Sequence, residues 1–159
     1  MELSTTIATR LQYQHKSLLE VLEGVSEEQV HIKQTPDKWS IFEIIVHLQT
    51  YQHIIIKRIS QIRQDEYVPV FEAYNANTDP IFLENCKRTF REIMQDLITT
   101  RKDMAAEFMK LKQAELDKKG IHPVYGTMSL QLWLNFFLLH EAHHLFAIFK
   151  QAGKLRAEK

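Results

Sequence analysis

The stretch LLHEAHHLFAI, residues 138–148, places three histidines and one glutamate among apolar residues. Imidazole is a poor core filler unless its nitrogens find partners, so this concentration of histidine raises the question of a metal site. His140 and His144 are four residues apart, a spacing that lets two imidazoles on one helix reach a single ion. His140 and His143 are three residues apart, and such pairs are neighbours on a helix too.

Helical phase separates these candidates. With His140 at 0° and about 100° per residue, the apolar stripe that contains Trp133 spans roughly 0 to 160°. His144 falls at about 40° and Glu141 at about 100°, both inside the stripe, whereas His143 falls at about 300°, outside it. We therefore predict that His140 and His144 point together into the fold.

A third histidine satisfies the same criterion on another predicted helix. With His47 at 0°, Tyr51 falls at about 40°, so His47 lies at the edge of an apolar stripe, whereas His53 falls at about 240°, on the polar face. A histidine on an apolar face is more often a hydrogen-bonded core residue than a ligand, but a shared metal ion would satisfy several buried imidazoles at once. Spacing alone leaves both interpretations open. The remaining histidines, His15, His31 and His122, are predicted to be surface or loop residues.

Four long amphipathic segments are predicted to position these side chains. They run from about Leu3 to Gly24, from Ser40 to about Arg63, from Pro80 to about Ala114, and from Thr127 or Ser129 to Gly153. The second segment begins with a Ser40–Glu43 capping box, and Asp79 precedes the third as an N-cap. The linker between the first two has room for one short helical turn, and no stretch has a convincing strand pattern. The sequence predicts an all-α four-helix bundle.

Composition limits the classes of function. The 159 residues suit one domain spanning residues 1–159, and 20 basic side chains balance 20 acidic ones, which argues against a nucleic-acid binder. A lone cysteine, Cys86, excludes an intrachain disulfide and favours a reducing, cytoplasmic location. Neither a signal peptide nor a membrane span is predicted.

Two familiar metal motifs fit poorly. Residues 140–144 match the H-E-x-x-H helix of zinc peptidases, but Ala147 and Lys150 stand where a metzincin needs glycine and histidine. Glu141 and His144 also match the E-x-x-H of di-iron bundles, yet the second copy that such a site needs occurs only in the linker, at residues 28–31.

Two longer segments carry a family resemblance. DKWSIFEIIVHLQTYQHIIIKRI, in the second helix, and HPVYGTMSLQLWLNFFLLHEAHHLFAI, in the last, resemble the corresponding parts of the DinB-like (YfiT-like) four-helix-bundle superfamily of candidate metal-dependent enzymes. The resemblance implies an up-down-down-up bundle and a metal triad at His47, His140 and His144, usually holding zinc, nickel or a similar divalent ion. The sequence departs at Gln52, where many relatives carry an acidic residue.

Three neutral histidine ligands leave a coordination position open, as in catalytic rather than structural zinc sites. The expected function is a metal-dependent enzyme acting on a small molecule, either a hydrolase or an S-transferase that uses a low-molecular-weight thiol; the alternative is a non-catalytic metal-binding or stress-response protein. Glu141 is expected either to hold a metal ligand in place or accept a proton, or to form a surface or inter-helix salt bridge. Tyr51 and Trp133 are expected to line a pocket or to fill the core.

The last helix is apolar on more than one face. Phe136, Leu139 and Phe146 fall at roughly 240 to 320°, outside the inward stripe. One alternative is that these side chains pack on a neighbouring helix of the same bundle. We predict instead that part of this surface, or an equivalent one, supports a homodimer.

Overall fold

The computed structural model describes residues 3–64 and 66–157. Its helices are α1 (Thr5–Tyr13), α2 (Ser17–Val21), α3 (Ile41–Gln64), α4 (Pro80–Asn85), α5 (Phe90–Phe108), α6 (Gln113–Leu116) and α7 (Leu130–Ala157), and its strands are β1 (Lys119–His122) and β2 (Gly126–Ser129). Short 3-10 turns at residues 14–16, 29–31 and 76–78 join some of them. The prediction of an all-α four-helix bundle is confirmed, with a small hairpin added.

The helix that carries His47 begins where its sequence predicts. The backbone N–H of Ser40 donates to Glu43 Oε2 at 2.7 Å, and the N–H of Glu43 donates to Ser40 Oγ at 3.2 Å. This reciprocal capping box satisfies two backbone donors that the first turn leaves free. α3 then continues to Gln64, one residue past the predicted end.

The last helix, α7, is longer than predicted. It starts at Leu130 but passes through Gly153 and ends at Ala157. Beyond the glycine, Leu155 is buried against the core, and this packing offsets the low helix propensity of glycine.

The first and third predicted helices are each interrupted. A 3-10 turn at residues 14–16 separates α1 from α2. The third segment stops after Asn85 and restarts at Phe90, because Thr89 and Glu92 form a second capping box.

The expectation of no strand was wrong for the segment before α7. β1 pairs antiparallel with β2 across a turn at residues 123–125, and Gly126, the first residue of β2, has a φ of 71°, which favours glycine. Gly120 packs so tightly that a Cβ there would lie 2.8 Å from Ile62 and 2.9 Å from Phe71. The hairpin covers this end of the bundle and delivers the chain to the start of α7.

Around the bundle, α3 packs mainly on α5 and α7, and α1 packs on the same two helices. The first and second predicted helices therefore lie at diagonal corners. Two apolar clusters fill the interior: one surrounds Trp133 and Phe137, and the other surrounds Ile45 and Ile148. The predicted histidines lie along α3 and α7 between these clusters. Within the described residues, none of the helices combines the length and apolar character that crossing a lipid bilayer requires.

Candidate metal centre

Three histidines from two helices meet inside the bundle. His47 comes from the first half of α3, and His140 and His144 lie one turn apart in α7. The Nε2 atom of His140 lies 3.2 Å from that of His47 and 3.2 Å from that of His144. The structure thus brings together the three residues that helical phase selected.

The spacing of these nitrogens fits ligands arranged around one ion. Two nitrogens bound tetrahedrally to zinc at about 2.0–2.1 Å are separated by roughly 3.3 Å. Ligand atoms of the three histidines all lie within 4.8 Å of one another, and no other histidine, cysteine or acidic cluster in residues 3–64 and 66–157 meets that criterion. A donor set of imidazole nitrogens suits zinc, nickel, copper or iron rather than magnesium or calcium.

Burial keeps the three imidazoles neutral. It lowers the pKa of His47 to about 3, with a further contribution from His144. It lowers the pKa of His140 to about 3 as well, and that of His144 to about 4, and nearby histidines add to both effects. Near neutral pH the nitrogens therefore carry the free lone pairs that a metal ion needs.

The other ring nitrogens of two of these histidines are unusual. Metal-binding histidines generally donate the second ring N–H to a carboxylate, a carbonyl or water. The Nδ1 atoms of His47 and His140 are buried and have no hydrogen-bond partner among the described residues. Packing, rather than a hydrogen bond at Nδ1, therefore holds the outer edge of these two rings in place.

Aromatic side chains supply that packing. The ring of Tyr51 lies 4.3 Å from that of His140, and the ring of Trp39 lies 5.1 Å from that of His47, measured between centroids. The ring of Tyr74 stacks on that of His47, with 5.9 Å between centroids, and its hydroxyl donates a hydrogen bond to the Asp79 carboxylate. The long connection that supplies Tyr74 has no periodic pattern, so sequence reasoning missed this residue.

The cluster is nonetheless reachable from outside. His47 is buried, but His140 and His144 are only partly buried. A cavity of about 600 Å³ between the hairpin and α7 is bordered by His140 and by the exposed His143. The cluster therefore borders this cavity through His140, whereas His47 does not line it.

Glu141 forms an inter-helix salt bridge, one of the roles expected for it. Its carboxylate forms a buried ion pair with Arg101 of α5, whose Nη1 atom lies 3.2 Å from Glu141 Oε1. Gln14 donates to the same oxygen at 2.9 Å. Because both carboxylate oxygens are engaged, Glu141 is not a free base of the kind that the H-E-x-x-H motif requires.

Tyr51 and Trp133, each expected either to line a pocket or to fill the core, have different roles. Tyr51 forms a wall of the histidine cluster, whereas Trp133 is fully buried and donates its indole N–H to the Gly120 carbonyl at 3.3 Å, as a core residue. Gln52 stands where many relatives carry an acidic residue. Its side chain is buried and donates a hydrogen bond to the Leu97 carbonyl. Its Oε1 has no hydrogen-bond partner among the described residues.

His53 and His143 are exposed, as helical phase predicts. His31 is exposed and His122 is partly buried in β1. The expectation for His15 was wrong: the turn between α1 and α2 places it in the interior, 9% exposed. Burial, followed by the charges of Arg101 and Lys16, lowers its pKa to about 4.

Comparison with known sequences and structures places this site in context. The sequence model of the DinB superfamily matches residues 10–148. The uncharacterised protein YuaE of Bacillus subtilis is 27% identical over 135 residues, which cover 78% of this chain and 83% of YuaE.

Two solved structures share the fold at low sequence identity. YfiT of Bacillus subtilis, described as a probable metal-dependent hydrolase with an unusual four-helix bundle topology, has a TM-score of 0.79 at 14% identity, covering 94% of this chain and 86% of YfiT. The DinB-like protein YjoA of Bacillus subtilis has a TM-score of 0.60 at 17% identity, covering 95% of this chain and 92% of YjoA.

Proposed function

The chain belongs to the DinB superfamily, and from that premise we propose that it is a metal-dependent hydrolase whose His47, His140 and His144 hold one divalent ion. The observation that carries the proposal is the convergence of three neutral Nε2 atoms beside a cavity. The structural similarity to YfiT, described as a probable metal-dependent hydrolase, supports the reaction class.

The residues around the cluster suit such a role. Three imidazoles supply the donor set of an open catalytic site, and zinc or nickel is the expected metal. When bound, such an ion lowers the pKa of water toward 7 and polarises a substrate carbonyl or phosphoryl oxygen. Trp39, Tyr51 and Tyr74 exclude bulk water from one side of the imidazoles and fix their rings.

A metal-binding protein without activity would share the triad but would not need a small-molecule cavity next to it. The cavity bordered by His140 therefore favours an enzyme with a small-molecule substrate. Transfer of a low-molecular-weight thiol would use the same open coordination position. The two reactions differ in their products, since only the transferase consumes the thiol.

A substrate screen on metal-loaded protein tests this proposal. We expect hydrolysis of members of a panel of esters, amides, lactones and phosphoesters, abolished by a chelator and restored by adding back zinc or nickel. His140→Ala should abolish the same activity. Turnover that survives both chelation and His140→Ala would contradict the proposal, and a product that incorporates added thiol would replace the hydrolase with a transferase.

Exposed aromatic side chains on α7 support the predicted homodimer. Phe146 and Phe149 are 60% and 50% exposed, and their rings stack 6.2 Å apart. Two exposed aromatic rings side by side form an apolar patch that a second copy could cover. In sedimentation we expect twice the 18.8 kDa chain mass, and we expect Phe146→Glu to shift the protein toward the monomer. A monomer mass at every concentration of the unmodified protein would contradict the prediction.

A further inference from the structure

A cavity of about 600 Å³ lies along the outer face of α7, under the hairpin. We call it the hairpin cavity. Its apolar lining consists mainly of Tyr125, Met128, Leu132, Phe136 and Leu139. Among residues 3–64 and 66–157, no aspartate, glutamate, lysine or arginine lines it. A volume in this range and a largely apolar lining are typical of sites for small molecules rather than for ions or sugars.

The walls of the hairpin cavity are held in place by aromatic contacts. The ring of Tyr125 packs 5.5 Å from that of Phe136, and both lie close to His122 of β1, with centroids 4.7 and 5.0 Å away. The hairpin is therefore anchored on α7 and forms one side of a concave site. A preformed concavity suits a small molecule better than the flat face of another helix.

Polarity changes along the length of the cavity. The lining residues of α7 run from Leu132 to His143, roughly 16 Å along the helix. Apart from Thr127 and Asn135, the part of the cavity nearest the hairpin is lined by apolar and aromatic side chains, whereas the other end is bordered by His140 and His143. His140 also supplies one of the three converging Nε2 atoms. A molecule lying in the cavity thus has its apolar part under the hairpin and its polar end at His140, the one residue of the candidate metal centre that borders the cavity.

We propose that the hairpin cavity binds the uncharged alkyl or aryl body of the substrate, whose hydrolysable group lies at the histidine cluster. This inference rests on the proposed function and adds a substrate class to it: small amphiphilic molecules with one polar, metal-binding end. Since none of the described acidic residues, lysines or arginines lines the cavity, substrates whose body carries a charge are excluded by the cost of desolvating that charge.

Linear alkyl hydroxamates test this inference on the zinc-loaded 159-residue chain. Their common head chelates zinc, and only the tail length differs between acetohydroxamate and octanohydroxamate. In calorimetric titrations we expect the Kd to fall by about three- to fourfold for each added methylene until the cavity is full. Leu132→Asn, at a position 47% exposed, should remove most of this gain and leave acetohydroxamate binding unchanged.

The matched control is Leu83→Asn, at a position on α4 that is 49% exposed and does not line the cavity. It should keep the full dependence on chain length. If Leu132→Asn fails to fold by circular dichroism, Leu139→Asn replaces it.

The outcomes separate the two proposals. If no hydroxamate binds, acetohydroxamate included, the metal centre and the inference built on it both fail. If acetohydroxamate binds but longer tails add nothing, or if Leu132→Asn keeps the gain, the cavity inference alone fails. If Leu132→Asn instead dissociates a dimer in sedimentation, a second copy covers the cavity and the inference is likewise overturned.

Discussion

Replacing any one of His47, His140 and His144 with alanine is expected to strip the protein of most of its divalent metal. Each variant would leave two imidazoles, and two neutral nitrogen ligands make a weak site. Loss of a group that merely supports a ligand costs about 10–100-fold in metal affinity, so loss of a ligand itself should exceed about 100-fold. Elemental analysis after zinc loading and dialysis measures the effect, with circular dichroism as the check on folding.

Two other histidines provide matched controls. His143 lies between His140 and His144 on the same helix but is exposed, with its ring 5.2 Å from that of His144. His53 is exposed on α3, where its Nε2 lies 3.3 Å from the amide nitrogen of Gln49. His143→Ala and His53→Ala should both keep their metal. Metal retained in His144→Ala but lost in His143→Ala would overturn the assignment of the triad.

Breaking the ion pair between Arg101 and Glu141 is expected to destabilise the protein by about 3–5 kcal/mol. Both side chains are almost fully buried, at 0% and 2% exposure. Removing one partner leaves the other charge in the interior, where water cannot compensate it. Arg101→Met and Glu141→Leu should each show this loss in chemical denaturation of the metal-free protein.

The double variant separates charge from packing. Arg101→Met combined with Glu141→Leu replaces both charges with apolar groups of similar volume, so it should recover most of the stability that either single change loses. It should also still bind metal, because Glu141 is paired with Arg101 and is not one of the three converging ligands. The exposed pair between Glu107 and Lys110 is the control, and Glu107→Gln should have little effect. A double variant no more stable than the singles would contradict this account.

Much of the candidate site follows from helical periodicity. His47, His140 and His144 were selected because their phases match apolar stripes, and the structure brings their Nε2 atoms together. The start of α3 was equally predictable, since Ser40 and Glu43 form their capping box from local sequence alone. Such features depend on residues within one or two helical turns of each other.

Some differences had a local signal that was overlooked. Thr89 and Glu92 have the spacing of a capping box, and this cap starts α5 where one continuous helix was expected. His15 lies four residues after Leu11 and three before Leu18, both buried, so its spacing already placed it on the apolar face. Its burial was therefore predictable in principle.

Other features depend on contacts between distant parts of the chain. Arg101 and Glu141 are 40 residues apart, and nothing local to either residue indicates that they pair. Tyr74 reaches His47 from a connection without periodicity. The hairpin is short, and its β1 strand packs Gly120 against Ile62 and Phe71. Tertiary packing decides these features, so they could not be predicted from local patterns.

X-ray absorption at the zinc edge of the zinc-loaded protein tests the central claim most directly, because it reports the atoms bound to the metal. The three-histidine site predicts imidazole nitrogens at about 2.0–2.1 Å, at least one further light atom, and no sulfur. A sulfur shell at about 2.3 Å, or a shell of oxygens without imidazole scattering, would contradict the assignment of His47, His140 and His144 as the ligands.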